Sequence, residues 1–347
     1  APTFALGHNV LAAVVDEAAW FPVADGGQRE RVSELYDCLR GRTRSRFRER
    51  GLLLMISSPR TVDDFFDRRL VTGDGEPGTF VSRQATWEVR PSSEYGGSVF
   101  EHDGLLVPVE HRRDFELNPQ RALRDLGAVA SRALYPYLLD TGSLVSAIRA
   151  EQRHPMRPDG RLEPWFIAPD RSPRYIHVDL GLTRDACGIA MATCVASDDP
   201  QAPQRVVVEL MHRIEAPRGG EISLSAPREL IMALRERGFS IAQVSYDGWQ
   251  SADSRQWLAR RGIQTTTVSV DRTMEAYETL KELLLDGRLW VYEYAPFMTE
   301  MQRLEVVHGT KVDHPAGGSK DVTDAVAGAV SEAVRHCGRV GLRAQVI

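Results

Sequence analysis

The sequence predicts an α/β protein of two domains, the second built on a mixed sheet flanked by helices. Three observations lead there. At 347 residues the chain is longer than one core comfortably serves. Its second half opens with three successive β-rich runs, 175–180, 188–194 and 205–214, before helices and strands begin to alternate, as in a mixed sheet. Its first half runs strand, helix, strand, the order of a parallel α/β layer.

Residues 8–15 form an apolar run ending at Asp16-Glu17. A polar, arginine-rich helical region follows from about Gln28 to Arg50, then a second apolar strand, 52–56, ending at Ser57-Ser58-Pro59. Short extended pieces lie between Phe80 and Val109, and helical periodicity returns at 119–126 and 144–148. Prolines 155, 158, 164, 169 and 173 mark a linker, so the expected domains are 1–150 and 173–347, joined by 151–172. In the second domain, helices are expected at 226–237, 252–261, 273–285, 296–304 and 321–335, with strands at 241–246 and 265–268.

Composition narrows the function. A net charge of −5 gives the whole molecule no electrostatic footprint for nucleic acid, so any such contact must be local. Arg40, Arg42, Arg44, Arg46, Arg48 and Arg50 alternate in one such run, readable as a phosphate-contacting surface or as a solvated face. No apolar run is long enough to span a bilayer, which points to a soluble protein. The start, Ala1-Pro2-Thr3-Phe4, has neither a signal peptide nor an initiator methionine, as a fragment would. Cys38, Cys187, Cys194 and Cys337 are scattered without a close pair, so reduced thiols are expected, with no zinc knuckle and no disulfide framework.

The chemistry lies in acidic residues. Asp179 and Asp247 each end a β-branched or aromatic run and have glycine within two residues, the way a strand delivers a side chain to a sheet rim. Alone, Asp179 reads first as a turn-capping aspartate, and Asp247 faces the same choice. Asp321 and Asp324 stand three apart on a helical segment and share a face; Asp321 suits an N-cap, whereas Asp324 is bordered by small residues that allow close approach to a sheet. Carboxylates gathered without matching cations repel one another, and a divalent ion with oxygen preference, Mg²⁺ or Mn²⁺, relieves this. Such a site suits phosphodiester cleavage. Asp185 is a weaker candidate, Asp253 and Asp271 read as helix caps, Lys320 could touch a scissile phosphate but reads first as an exposed lysine, and His177 and His314 have no partners that would make them zinc ligands.

Four segments together resemble the nuclease domain of tailed-phage terminase large subunits: 177–185, 245–254, 277–289 and 311–325, the last containing Gly317-Gly318-Ser319-Lys320-Asp321-Val322-Thr323-Asp324. The resemblance covers about residues 173 to 336. It implies an RNase H-like fold and an endonuclease that cuts concatemeric viral DNA during packaging in the host cytoplasm, with double-stranded DNA, a terminase small subunit and a portal protein as partners. It further implies that Asp179, Asp247 and Asp324 are catalytic metal ligands and Asp321 a further ligand or supporting group. Two ions would lie ~4 Å apart, with Asp179 between them. In the first domain, Val10 to Glu17 reads as a Walker B strand and Ser57-Ser58-Pro59 resembles the coupling motif of terminase ATPases, with a lid at 86–148. No Gly-x-x-x-x-Gly-Lys-Ser/Thr is present, so the ATP site of Asp16, Glu17, Ser57 and Ser58 is incomplete. No ATP turnover is expected of this chain; Mg·ATP hydrolysis that Glu17→Ala abolishes would overturn that. Two other classes remain open: an RNase H-like resolvase or transposase, and a packaging-motor component that does not cleave.

Overall fold

A computed structural model describes residues 8–21, 31–62, 64–181, 186–195, 204–217, 220–248, 251–270, 272–307, 309–315 and 318–337. The chain divides into two compact units, Ala1–Leu134 and Tyr135–Ile347. Residues 135–172, read in the sequence as the end of one domain and a linker, therefore fall in the second unit, where Tyr137, Leu144, Met156, Leu162 and Phe166 are buried in its cores.

In the first unit, strands β1 (Ala12–Val15) and β2 (Leu52–Met55) pair in parallel, joined by helix α1 (Arg31–Phe47). Both strands are apolar on both faces, as strands covered on two sides are. Only one side is filled among the described residues: Val15 packs with Val32, Leu35, Leu39, Phe65 and Phe66, while Val14, Leu52, Leu54 and Ile56 are exposed. Helix α2 (Phe65–Gly73) is capped by Asp64, which accepts a hydrogen bond from Asp67 N at 2.8 Å. A hairpin, β3 (Val99–His102) and β4 (Leu105–Pro108), packs with helices α3 (Arg112–Leu117) and α4 (Pro119–Asp125) around Val107, Phe115 and Ala122. The alternating arginines fall on α1 and the 3₁₀ turn after it. A two-residue period on a helix scatters side chains around the axis, and Arg40 is paired with Glu76, so they do not form a single stripe.

The second unit has the expected mixed sheet flanked by helices. After helix α5 (Gly142–Ser146) come β5 (Pro173–Asp179), β6 (Cys187–Val195) and β7 (Arg205–Ile214). They are followed by α6 (Ser225–Glu236), β8 (Ser240–Tyr246), α7 (Ala252–Ala259), β9 (Thr265–Thr267), α8 (Glu275–Leu285) and β10 (Leu289–Trp290). The chain then forms α9 (Ala295–Arg303), a hairpin of β11 (Glu305–Val307) and β12 (Lys311–Asp313), and α10 (Asp321–Cys337). The six-stranded order is β10-β7-β6-β5-β8-β9. Strand β6 runs antiparallel to both neighbours, and the β5/β8, β8/β9 and β10/β7 pairs are parallel.

Side-chain alternation sends Ile176 and Val178 of β5 into the core shared with α6, and Tyr175 into the core beneath α8 and α10. His177 lies on the same face as Tyr175, under α10. There Gly328 is required: a Cβ at that position would sit 2.3 Å from the His177 ring. The ring is fully buried, its Nδ1 shares a hydrogen bond with Ser245 Oγ at 2.7 Å, and burial lowers its pKa to about 3. His177 is thus a neutral packing residue at ordinary pH.

At the far end of β5 from Asp179, the buried Arg174 makes a forked pair with Glu209, Nε and Nη2 each at 2.9 Å, and a further bond to Asp170. Removing one member of a buried pair strands the other, so Arg174→Ala is expected to cost about 3–5 kcal/mol. Urea titration checks this; an unchanged midpoint would count against a structural role.

One expectation about cysteine is corrected. Cys194, at the end of β6, and Cys337, at the end of α10, form a disulfide with Cα atoms 5.9 Å apart, while Cys38 and Cys187 are free. Their separation of 143 residues hides the pair from a reading based on spacing. No helix among the described residues is long and apolar enough to cross a membrane.

Candidate active site

Adjacent parallel strands bring two aspartates to one rim of the sheet. β5 and β8 pair through Val178 and Tyr246; the next residues are Asp179 and Asp247, and Asp247 N donates to Val178 O at 3.4 Å. The other two aspartates arrive on α10, whose first turn rests on β6. Gly188, the register partner of Asp179, is where it rests: a Cβ there would lie 1.9 Å from the Asp321 carbonyl oxygen. Only glycine lets the helix come this near.

The four carboxylates feel one another. Burial first, then the charges of Asp324, Asp321 and Asp247, hold the Asp179 carboxyl well above the usual carboxylate range, with Lys320 acting in the opposite direction. Asp324 is buried; its Oδ1 accepts from the Tyr277 hydroxyl, and its Oδ2 pairs with Lys320 Nζ at 2.9 Å. Lys320 is therefore buried and engaged within the site, contrary to its reading as an exposed lysine.

Asp321 does not act as the N-cap its position suggests. Its Oδ2 accepts from Ala186 N at 3.2 Å and from Ser319 Oγ at 2.7 Å, tying the helix start to β6. Glu300 of α9 does the capping: one oxygen accepts from Thr323 N at 2.8 Å and Thr323 Oγ1 at 3.0 Å, and the other, 2.9 Å from Ser319 Oγ, shares that hydroxyl's one proton with Asp321. Burial, with help from Asp321, raises the Glu300 pKa despite these bonds.

Sequence reasoning does not find Tyr277 and Glu300 as site residues. Tyr277 opens one of the four resembling segments, but its place on an apolar helix face hides its hydroxyl's partner. Glu300 has one: it sits three residues after Phe297 and one before Met301, both buried, and an acid on an apolar stripe needs partners. Asp185 and Asp271 lie outside the described residues. Asp253, in the first turn of α7, pairs with Arg228.

By ligand type, though not by their present arrangement, these carboxylate oxygens on rigid elements suit a hard divalent cation. No group of three or more His, Cys, Asp or Glu side chains among the described residues is arranged to hold a metal ion. Protein donors occupy both oxygens of Asp324 and one of Asp321. In the first unit, the Walker-B-like turn and the serine motif do meet. Ala18 N donates to Ile56 O at 3.1 Å and Ala19 N to Ser57 Oγ at 3.1 Å. Glu17 has φ 51°, in the left-handed region, and its N donates to Asp16 Oδ1 at 3.0 Å. Ser58 is exposed beside Ser57.

Residues 3–103 match a family model described as "Uncharacterized protein MJ0330, N-terminal P-loop domain". No curated protein matches the chain. Among solved structures, the large terminase nuclease from thermophilic phage G20c with bound magnesium is similar at 18% identity and a TM-score of 0.43, covering 58% of this chain and 98% of that one. The HK97 bacteriophage large terminase is similar at 13% identity and a TM-score of 0.43, covering 94% and 71%. The P22 large terminase nuclease domain is similar at 15% identity and a TM-score of 0.34, covering 49% and 85%. The carboxylates, and not these likenesses, bear the weight of a functional reading.

Proposed function

We propose that the second unit is a metal-dependent endonuclease of the terminase large subunit kind, cleaving concatemeric double-stranded phage DNA by phosphodiester hydrolysis. The observation that carries this reading is the approach of Asp179, Asp247, Asp321 and Asp324 from two strand ends and one helix start, with Asp179 held above its ordinary pKa first by burial and then by the charges of the other three. Asp179, Asp247 and Asp324 would hold Mg²⁺ or Mn²⁺, with Asp321 beside them. When bound, a pair of such ions activates the attacking water and stabilises the departing 3′ oxygen. The chain's own part is positional. β5 and β8 fix two carboxylates, Gly188 seats the helix that bears the others, and Glu300 keeps that helix start formed. Lys320 neutralises Asp324 through its 2.9 Å contact.

Double-stranded DNA, a terminase small subunit and a portal protein are the proposed partners, and the host cytoplasm the proposed compartment. The first unit, with Asp16 and Glu17 after β1 and Ser57 and Ser58 after the neighbouring β2, would serve a motor function in a longer protein. The test is plasmid cleavage with Mn²⁺, comparing wild type with Asp179→Ala. Cleavage by the wild type alone is expected, and EDTA should stop it. Equal nicking by both proteins would sink the assignment and leave the non-cleaving packaging component as the better reading.

A further inference from the structure

The rung of the sheet that carries Asp179 continues across two more strands. Asp179 pairs with Gly188, and Gly188 pairs with Arg213 of β7. Residues opposite one another in a ladder point to the same face, so Arg213 projects to the side on which α10 rests, with the Asp321 backbone above Gly188 between it and Asp179. Neighbouring strands lie about 4.8 Å apart, which sets the two Cα atoms roughly 10 Å from each other. An arginine side chain at one end of that span and an acidic pocket at the other match the separation of neighbouring phosphates more closely than contact with a single one.

The guanidinium is also poorly engaged. Its Nε is buried without a hydrogen-bond partner, which leaves the terminal nitrogens to reach a substrate. Its ion pair is a long contact of 3.9 Å to Glu215, whose side chain is 76% exposed against 31% for Arg213. Such a contact contributes little. The backbone beneath is fixed, because Arg213 N donates to the Tyr294 hydroxyl at 3.2 Å. Lys320, the cation nearest the carboxylates, is engaged by Asp324. An acidic pocket repels a polyanion, and a substrate of that charge needs a cation that the pocket itself does not consume.

We infer that Arg213 contacts the DNA backbone at a phosphate flanking the one to be cleaved, so that it orients the duplex across the acidic rim. The planar fork of arginine suits phosphate oxygens, and its charge is permanent. This rests on the nuclease reading for the identity of the substrate, but it can fail separately.

The experiment measures binding of a short random-sequence duplex in EDTA across a salt series, for wild type, Arg213→Ala and Arg213→Lys, followed by cleavage kinetics with Mn²⁺. Arg213→Ala is expected to weaken binding about tenfold and to reduce the slope of log affinity against log salt by about 1. Arg213→Lys should keep the slope. In cleavage, Arg213→Ala should raise KM while kcat changes little, the mark of a contact made equally in ground and transition states. Unchanged affinity and slope in Arg213→Ala would overturn the inference whether or not the wild type cleaves. A wild type that fails to cleave while Arg213→Ala still loses the slope would instead defeat the nuclease reading and keep the phosphate contact. Should Arg213→Ala not fold, the lysine variant decides: loss of the slope there, in a folded protein, counts against a phosphate contact.

Discussion

Asp179→Asn is expected to abolish metal-dependent cleavage and, in the absence of metal, to make the protein more stable. The two effects have one cause. An amide keeps the shape of the side chain but removes the charge that a divalent ion would bind, and such an ion stabilises the transition state by several kcal/mol. The rate should therefore fall about 10³-fold or more. Yet that same charge strains the metal-free fold, since burial and then Asp324, Asp321 and Asp247 all disfavour it. The native carboxyl has a raised pKa, so between its ordinary value and the raised one the native chain binds more protons than the unfolded chain. Its contribution to stability is complete below the ordinary carboxylate value and is lost as pH rises through the raised one. Thermal unfolding in EDTA should therefore show wild type losing stability across that window, with Asp179→Asn losing less and melting higher at neutral pH. A variant that melts lower than wild type in EDTA would mean that the acidic residues do not strain one another.

Gly188→Ala is the second large effect. The added methyl would meet backbone, not the yielding tip of a side chain: it would lie 1.9 Å from the Asp321 carbonyl oxygen and 2.5 Å from the carbonyl carbon. The first turn of α10 must lift, carrying Asp321 and Asp324 away from Asp179 and stretching the bond from Ala186 N. Misplacement by about 1 Å is enough to cost roughly 10²-fold in rate, and overpacking a core costs about 1–3 kcal/mol. Gly41, exposed on α1 with nothing within 4 Å of where a methyl would sit, is the control. There alanine should be neutral or stabilising by up to about 1 kcal/mol. Cleavage assays and urea titration on the two variants separate a specific seat for the helix from a general intolerance of glycine replacement. Wild-type cleavage by Gly188→Ala would show that the carboxylates on α10 are not needed where they stand.

Much of the second unit is legible in the sequence because its elements are long and patterned. Strands at 175–180, 188–194 and 205–214 and the helices that follow agree with the observed β5, β6, β7 and α6 to α10 within a few residues at their ends. What escapes is short or non-local. β10 has two residues and each strand of the β11/β12 hairpin three, too few for any period to show. The disulfide joins residues 143 apart, and nothing near either cysteine announces the other. The four acids can be singled out one by one from strand ends and helix spacing, but their partners cannot. Lys320 reads as exposed because a lysine before a helix is ordinarily solvated; here the close docking that Gly188 permits buries it beside Asp324. Arg213 looks like any strand arginine until the ladder sets it level with Asp179.

β5 is held like a plank nailed along both edges. Its neighbours β6 and β8 grip it up to its last residues, and the forked bonds of Arg174 to Glu209 clamp its root. A plank so fastened can tolerate an uncomfortable load at its tip, which gives a designer freedom to exchange the group there without retuning the strand.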